Sequence, residues 1–383
     1  MSAPRAGYRD AHLHLAAGAA DLGGLDLRSG ESAGSRVAAA ARELPPDALI
    51  RGWGWDGEAA TAGSFDRAAL DHPLVLARAD GHAAWLNAAA RRAYAVRDEN
   101  GLVAEDAYDS LRARLPALSP GERATALRAR AEELAALGVV AVDDMVDRGA
   151  PGIYAALRDR RELPLSAGMW LPGEIDHAEA RALLRAFPPD DPLVAVRGIK
   201  IFLDGTLRSR TAALFAPYAD APETDGRLRG EPSRLAARVE AWGRDGWPVA
   251  LHAIGDRAVA LALDILEDLP RPRWGAHRIE HAQVVRREDL PRFSAAGIVA
   301  SLQPGHWSDD RPWIASRLGA RPDVIAHPLA SLARAGATIV VGSDWPVSSW
   351  DPARILAAAC DPARGEEAAD AVQSRAWYTS GPR

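Results

Sequence analysis

Cysteine is almost absent from this chain of 383 residues, in which Cys360 is the single example. One cysteine cannot form an internal disulfide bond, so a small scaffold held together by disulfides is excluded. A lone cysteine is more often a small buried apolar residue than a nucleophile. Since no other sequence feature supports a catalytic role, Cys360 is not a candidate active-site residue.

Long hydrophobic runs are also lacking. No segment reaches the roughly eighteen apolar residues that a membrane-spanning helix requires. The first ten residues contain no apolar segment of the kind found in a signal peptide. We therefore expect a cytoplasmic protein with no membrane partner.

An excess of positive charge is missing as well. Lys and Arg total 46 against 52 Asp and Glu, which gives a formal net charge of −6. A nucleic-acid partner would favour a strongly basic face, so none is expected. The chain has 12 Trp but only 5 Phe. Trp suits pocket walls and cores equally well, so this bias alone does not assign a function.

Short segments rich in Val, Ile and Leu alternate with helical stretches rich in Ala, Arg and Glu, such as 121–137 and 257–269. This alternation is typical of parallel βα units. The predicted strands are the segment that ends at 10–14, then 138–145, 163–170, 196–204, 248–252, 278–281, 297–303 and 337–344. Eight such strands predict the α/β fold class and a (β/α)8 TIM barrel.

The interval between the first and second predicted strands, residues 16–137, is too long to be one loop. It contains an apolar run of its own at 74–77. We therefore expect an inserted subdomain that covers the barrel mouth, within a barrel that takes up the whole chain, 1–383. Residues 204–232 are rich in Gly, Pro, Asp and Arg and predict a long loop after the fourth strand.

Polar residues with metal-ligating potential fall at or near the ends of these strands. They are His12, His14, Lys200, His252, His281 and Asp344. Catalytic residues of such barrels lie at the C-terminal ends of strands. His12 and His14 are two positions apart, so in a strand both side chains point to the same face. The joint pattern predicts a metal site in the barrel interior.

Each of these residues has a structural interpretation when taken alone. Lys200 is explained by an ion pair and Asp344 by a helix cap. A single histidine at a strand end is more often hydrogen-bonded in a core than bound to a metal. We interpret five further histidines in this structural way. They are His72, His177, His277, His306 and His327.

Several motifs resemble a known family. Residues 10–14 (DAHLH) resemble the opening D-x-H-x-H of the amidohydrolase superfamily. Further stretches, in the same order along nearly the whole chain, resemble its YtcJ-like branch, amidohydrolase family 3. They are 80–87 (DGHAAWLN), 200–206 (KIFLDGT), 252–259 (HAIGDRAV), 278–283 (RIEHAQ), 301–304 (SLQP) and 342–347 (GSDWPV).

The resemblance implies a site with two metal ions, usually zinc. His12 and His14 would hold the more buried ion together with Asp344, while His252 and His281 would hold the second. Lys200 would be carboxylated and would bridge the two ions. A lysine ammonium would be repelled by two cations, whereas a carbamate offers an anionic oxygen donor. An unmodified Lys200 would instead indicate a single-metal site.

The resemblance also implies the activity, which is hydrolysis of a C–N bond in a small amide or cyclic amide by a metal-activated water. Asp344 would act as the general base and later donate the proton to the leaving amine. His82, in the insertion, would help to stabilise the oxyanion from the lid side. The expected substrate-pocket residues are Trp85, Gln303, Trp307 and Trp345, with Trp53 and Trp55 as further candidates for pocket walls.

Members of this family normally carry a small β-sandwich built from both chain ends. Only nine residues precede Asp10 here, and the sequence ends at Arg383. We therefore expect a barrel that lacks the sandwich. Apolar surface near the termini would then be covered by a partner subunit in a homo-oligomer, or the fold would be marginally stable.

Three alternatives stay open at this point. The first is a catalytically silent metal-binding barrel, and the second is an amidohydrolase that acts on esters, on phosphoesters or as a deaminase. The third is a barrel enzyme without a metal, such as a lyase that uses Lys200 as a Schiff base. The metal content of the purified protein separates the first two from the third.

Overall fold

The computed structural model describes residues 7–21, 25–27, 33–45, 47–55, 65, 72–78, 83–97, 100–116 and 118–379. Their strands, in chain order, are β1 (Tyr8–Leu13), β2 (Leu25–Asp26), β3 (Ile50–Trp55), β4 (Leu74–Arg78), β5 (Ala83–Leu86), β6 (Leu102–Ala104), β7 (Val139–Met145), β8 (Ser166–Pro172), β9 (Val194–Phe202), β10 (Val249–Ala253), β11 (Arg278–His281), β12 (Val284–Arg286), β13 (Val299–Leu302), β14 (Val324–Ala326) and β15 (Thr338–Val341).

The α-helices of the described residues, in chain order, are α1 (Leu15–Asp21), α2 (Ala33–Glu43), α3 (Ala88–Ala93), α4 (Asp106–Arg112), α5 (Pro120–Ala136), α6 (Ala150–Asp159), α7 (His177–Ala186), α8 (Pro232–Arg244), α9 (Asp256–Glu267), α10 (Leu290–Ala296), α11 (Pro304–Asp310), α12 (Ile314–Leu318), α13 (Leu329–Arg334), α14 (Pro352–Cys360) and α15 (Ala371–Thr379). Short 3-10 helices cover Arg287–Asp289 and Pro362–Glu367. Among these helices none is long and apolar enough to cross a membrane.

The chain divides into two compact units, which are residues 1–16 with 127–383, and residues 17–126. The larger unit contains a parallel sheet in the order β1-β7-β8-β9-β10-β11-β13-β15. Its edges meet through two backbone hydrogen bonds of 2.7 Å, from Asp344 N–H to His12 O and from His14 N–H to Trp345 O. The eight predicted strands and the (β/α)8 TIM barrel are therefore confirmed.

Glycine at position 342 allows this closure. A Cβ atom added to Gly342 would lie 2.4 Å from the backbone nitrogen of His12 and 2.8 Å from its carbonyl oxygen. Any larger residue would push the last barrel strand away from β1. The closure matters for the site because the residues on either side of it, His12 and Asp344, are both predicted metal ligands.

The barrel strands are buried on both faces, as expected for parallel strands that are covered by helices. Every residue of β10, β11 and β13 is buried. The helix α9 follows β10 and buries Val259, Leu263 and Leu266 on one side. Each such side chain contributes roughly 1.5–3 kcal/mol relative to an exposed one. This packing gives the strand ends a rigid base.

The smaller unit is built on a sheet in the order β2-β3-β4-β5-β6, in which β2, β3 and β4 are parallel and β5 and β6 are antiparallel to their neighbours. Alternate residues of β4 enter different cores. Leu74 and Leu76 pack with Trp55 and Trp85, whereas Val75 packs in a second cluster on the opposite face. The unit, residues 17–126, lies within the predicted insertion 16–137. The helix α5 begins before residue 126 and ends at Ala136, beyond the unit.

Residues 204–231 contain neither helix nor strand, apart from one isolated bridge between Tyr218 and Ala221. This agrees with the predicted long loop after the fourth barrel strand. The buried carboxylate of Asp204 accepts backbone N–H groups from Ile254, Gly255 and Ala213 at 2.9–3.0 Å. These bonds tie the start and the middle of the loop to the end of β10.

Candidate metal centre

The C-terminal ends of the barrel strands bring the four predicted ligand histidines together. The ring centroids of His12 and His281 are 4.8 Å apart, and those of His252 and His281 are 4.5 Å apart. His14 lies next to His12, with 5.5 Å between their ring centroids. Residues at or just after the ends of β1, β10 and β11 thus form one cluster, although up to 269 positions separate them in the chain.

Asp344 lies at the centre of this cluster. Its Oδ1 atom is 3.3 Å from Nε2 of His12 and 3.3 Å from Nε2 of His14. Ligand atoms from His12, His281 and Asp344 all lie within 4.8 Å of one another, and the three side chains are buried. The arrangement has the donor set and the size of a divalent metal site.

The contacts on the other ring nitrogens support metal binding. Nδ1 of His12 lies 2.5 Å from Glu280 Oε2, and Nδ1 of His281 lies 2.9 Å from Gln303 Oε1. The amide orientation of Gln303 is set by its NH₂ group, which donates to the Ser301 carbonyl. Because these acceptors place the proton on Nδ1, the Nε2 atoms of His12 and His281 keep their lone pairs.

His252 has the reverse arrangement. Its Nε2 lies 3.1 Å from the carbonyl oxygen of Gly205, which accepts a proton but cannot donate one. His252 therefore carries its proton on Nε2, which leaves the lone pair on Nδ1. A carbonyl or carboxylate on the second ring nitrogen is the usual surrounding of a metal-bound histidine.

Several buried polar atoms at this site have no hydrogen-bond partner, which is rare in folded proteins. They are Nε2 of His12, Nε2 of His306, Oδ1 of Asp344 and Nζ of Lys200. Imidazole and carboxylate lone pairs that receive no hydrogen bond are well suited to bind a cation, and here the carboxylate of Asp344 lies beside two imidazoles. The residues present therefore match the divalent metal that their pattern predicts.

Lys200 lies on β9 and is 4% exposed. Burial lowers the pKa of its amine to about 8, although the charges of Glu280 and Asp344 act in the opposite direction. Its Nζ is 4.9 Å from the centroid of the Phe202 ring. A buried amine with a lowered pKa carries a larger neutral fraction near pH 7 than an exposed lysine does.

Two of the predicted ligands occupy strained backbone conformations. His281 has φ of 76° and Asp344 has φ of 55°, both in the left-handed region that non-glycine residues rarely adopt. Such residues cost roughly 1–3 kcal/mol each and cluster at functional sites. The hydrogen bond from Asp344 N–H to His12 O holds one of them in place.

Glu280 is a site residue that sequence reasoning missed. Its carboxylate lies 2.5 Å from Nδ1 of His12. It also accepts two hydrogen bonds from the buried guanidinium of Arg278, at 2.5 Å and 3.0 Å. Burial raises the pKa of Glu280, but the Arg278 charge and the hydrogen bond from His12 outweigh it and hold the pKa well below the usual range. The available signal was two charged residues, 278 and 280, on one face of a strand that is otherwise apolar.

Arg278 connects this carboxylate to the rest of the barrel interior. It donates to Asp143 at 2.9 Å, to the Ala11 carbonyl at 2.6 Å and to Ser301 Oγ at 2.8 Å. These partners lie on β7, β1 and β13. Arg278 therefore links three strands beneath the histidine cluster.

His306 is a second residue that the sequence interpretation did not place at the site. Its Nε2 lies 3.3 Å from Asp344 Oδ2, and its ring stacks on His281 with 5.8 Å between centroids. The side chain is buried. The signal that could have found it is its position in α11, four residues after the end of β13, at the catalytic end of the barrel.

The other histidines that were interpreted as structural have structural contacts. The two ring nitrogens of His72 lie at hydrogen-bonding distance from backbone carbonyls, 3.0 Å and 3.1 Å away. His277 contacts the Pro270 carbonyl, and His327 contacts Asp310. His177 stacks on Trp242 with 3.7 Å between ring centroids.

The proposed pocket residues have different surroundings. Trp345 is buried and stacks on Trp350, with 4.3 Å between ring centroids. Trp307 is partly buried, with the guanidinium groups of Arg364 and Arg311 over its ring at 4.7 Å and 5.5 Å. Gln303 reaches the site through its contact with His281. Whether these side chains touch a substrate stays a prediction.

The remaining predicted pocket residues belong to the smaller unit. Trp55 and Trp85 are part of its hydrophobic core, and the indole N–H of Trp85 donates to the Asn100 carbonyl. Trp53 is also buried. Packing in this core accounts for the burial of Trp55 and Trp85. His82 lies outside the described residues, so its role at the oxyanion stays a prediction.

Comparison with known proteins agrees with this geometry. A family model described as "Amidohydrolase family" matches residues 6–376. The putative amidohydrolase YtcJ of Bacillus subtilis (strain 168) is 30% identical over 380 residues, which cover 90% of this chain and 71% of that protein. Protein LONG AFTER FAR-RED 3 of Arabidopsis thaliana is 27% identical over 387 residues, which cover 90% of this chain and 66% of that protein. The chain thus spans about two thirds of the length of these relatives.

Solved structures show the same fold. An uncharacterized metal-dependent hydrolase from Pyrococcus horikoshii OT3 matches with a TM-score of 0.78 and 26% identity, over 97% of this chain and 79% of that one. A similarly described protein from Pyrococcus furiosus matches with a TM-score of 0.76 and 27% identity, over 97% and 80%. Together with the family model, these likenesses establish that the chain belongs to the amidohydrolase family.

Proposed function

We propose that this protein is a metal-dependent hydrolase that cleaves a C–N bond in a small amide or cyclic amide. One observation carries the proposal: ligand atoms of His12, His281 and Asp344 converge within 4.8 Å inside the barrel. The neighbouring acceptors direct the imidazole lone pairs into that space. Membership of the amidohydrolase family supports the same reaction class.

The residues present suit two zinc ions, since imidazole and carboxylate are favourable zinc ligands. His12, His14 and Asp344 would hold one ion, and His252 and His281 would hold the other. A bound divalent ion would supply Lewis-acid polarisation of the scissile carbonyl and lower the pKa of a water molecule.

Lys200 would connect the two groups of ligands as a carbamate. Its neutral amine would add to CO₂, with formation of an N–C bond and release of one proton. The lowered pKa of about 8 favours this reaction because only the neutral amine is nucleophilic. The product would have an anionic oxygen where the amine has no hydrogen-bond partner.

Asp344 would be the general base. Burial raises its pKa, but the charge of His12 and the close contacts with the rings of His12, His14 and His306 outweigh burial and hold the pKa well below the usual range. The side chain is therefore ionised and ready to accept a proton from the attacking water. It would return this proton to the amide nitrogen as the C–N bond breaks, giving a carboxylic acid and an amine.

The test begins with the metal content of the purified protein, measured by mass spectrometry of the elements. About two zinc per chain is expected, and no metal after purification without chelators would reject the proposal. The zinc-loaded protein is then assayed on a panel of N-acyl and cyclic amides. Turnover confined to esters or to aminated heterocycles would favour the alternative activities over C–N hydrolysis of amides.

His281→Ala and Asp344→Asn are each expected to abolish amide turnover, because one removes a ligand and the other the base. His177→Gln is the matched control, since His177 stacks on Trp242 and has no contact with the cluster. Circular dichroism of each variant checks that the fold is retained. Activity that survives in the Asp344→Asn variant would exclude Asp344 as the base.

Self-association is a separate part of the proposal. A homo-oligomer of this chain is expected in solution. Multi-angle light scattering measures it directly. A monomer with high thermal stability would contradict the expectation.

A further inference from the structure

The two oxygens of Asp344 face different histidines. Oδ1 faces Nε2 of His12 and of His14, and Oδ2 faces Nε2 of His306, all at 3.3 Å. Distance alone would assign the same role to His12 and His306. The contacts on their other ring nitrogens distinguish them.

Nδ1 of His12 lies against the carboxylate of Glu280, which only accepts hydrogen bonds. Nδ1 of His306 lies 2.8 Å from Nε2 of Gln283, an amide nitrogen that only donates. A neutral imidazole has one donor nitrogen and one acceptor nitrogen. His12 is therefore protonated on Nδ1, and His306 is protonated on Nε2.

We infer that His306 is a positioning residue for Asp344 and does not bind a metal. Its Nε2–H faces Oδ2 of Asp344 across 3.3 Å and holds that oxygen by electrostatic attraction. A nitrogen that carries a proton in the ring plane has no lone pair to offer a cation. With Oδ2 held in this way, Oδ1 stays directed toward His12 and His14. The inference rests on the proposed function in one respect, which is that Asp344 acts in catalysis.

The surroundings hold this arrangement in place. His306 and Gln283 are 7% and 6% exposed. The ring of His306 lies nearly parallel to that of His281, at 14°, which limits its rotation. The backbone carbonyl of Gln283 accepts the N–H of His327 at 2.6 Å, so the chain that carries the amide is anchored as well.

The protonation pattern is measured first, by ¹⁵N NMR of metal-free protein with labelled histidine. Signals are assigned from their loss in the His306→Gln and His12→Gln variants. The expected result is a proton on Nε2 of His306 and on Nδ1 of His12. A proton on Nδ1 of His306 would overturn the inference.

Gln283→Glu tests the cause of this pattern. A carboxylate at position 283 accepts a hydrogen bond, so the proton of His306 is expected to move from Nε2 to Nδ1. If the proton stays on Nε2, Gln283 does not set the tautomer and the inference fails in that part. Neither NMR measurement depends on knowledge of the substrate.

The role in catalysis is tested with two substitutions of His306. His306→Leu removes the donor, whereas His306→Gln keeps an amide donor near the original Nε2 position. Zinc content per chain is expected to equal that of the unaltered protein in both variants. For an N-acyl amide that the unaltered protein hydrolyses, kcat should fall by about tenfold to a hundredfold in His306→Leu and recover in His306→Gln, with little change in KM.

Loss of zinc from His306→Leu to the extent expected for His281→Ala would show that His306 is a ligand and would overturn the inference. Unchanged kcat in His306→Leu would overturn the positioning role. Absence of amide turnover in the unaltered, zinc-loaded protein would reject the proposed function instead. The NMR pattern and the zinc content would still decide the role of His306, and if His306→Leu does not fold, His306→Gln and Gln283→Glu supply the test.

Discussion

Glu280 determines which nitrogen of His12 faces the metal site. Its carboxylate lies 2.5 Å from Nδ1 and is itself held by the guanidinium of Arg278. A carboxylate behind a ligating histidine fixes the tautomer and increases the basicity of the ligating nitrogen. At the scale of single residues, the quality of the site therefore depends on side chains that do not touch the metal.

Glu280→Gln is expected to weaken zinc binding by about tenfold to a hundredfold, because an amide removes the negative charge that polarises His12. The measurement is competition for zinc with a chelating dye. Glu132→Gln is the control, since Glu132 is largely exposed on α5. An unchanged zinc affinity in the Glu280 variant would show that Glu280 serves only to pair Arg278.

At the scale of elements, the junction between β15 and β1 positions the site. The segment that follows β15 approaches β1 so closely at Gly342 that a methyl group there would overlap the backbone of His12. The left-handed conformation of Asp344 begins two residues later. Strand separation and ligand position are therefore coupled at this junction.

Gly342→Ala is expected to lower the free energy of unfolding by about 1–3 kcal/mol, the usual range for forced overpacking, and to reduce zinc binding. Urea denaturation and zinc titration measure the two effects. Gly152→Ala is the matched control, because Gly152 lies in α6 with nothing within 4 Å of an added Cβ. The control should be neutral or stabilising by roughly 0.5–1 kcal/mol. Equal stability of the two variants would contradict the close approach at Gly342.

At the scale of the whole molecule, the two compact units differ in their relation to the metal. The six predicted metal ligands all lie in residues 1–16 or 127–383, and none of them lies in residues 17–126. A ligand that binds only the folded state stabilises it by mass action. Stabilisation by metal should therefore concentrate in the larger unit.

Zinc at a hundredfold excess over its Kd is expected to add about 2.7 kcal/mol to the stability of the unit that binds it. Hydrogen exchange measured by mass spectrometry should show slower exchange in peptides from β1, β10 and β11. Peptides from β4 and β5 serve as the internal control and should change little. A chelator should reverse the effect, and equal protection of both sets of peptides would contradict it.

Much of this architecture was predictable from local sequence. Each buried barrel strand, such as β10, is a short apolar run between turn residues, and burial on both faces requires that composition. His252 and His281 were predicted as ligands because they end such runs, and the structure places both in the histidine cluster. Glu280 and His306 were missed because their partners are remote or lie beyond the strand, and no periodicity reveals a contact between two side chains.

The sequence by itself determined the eight strands and the family, and it predicted the histidine, lysine and aspartate set, since these follow from hydrophobic pattern and motif. Only the tertiary structure decided what each ring nitrogen does. His12 and Glu280 are 268 positions apart and meet because the sheet closes on itself. The proton of an imidazole goes to the nitrogen that faces an acceptor, and the identity of that acceptor is a property of the folded chain.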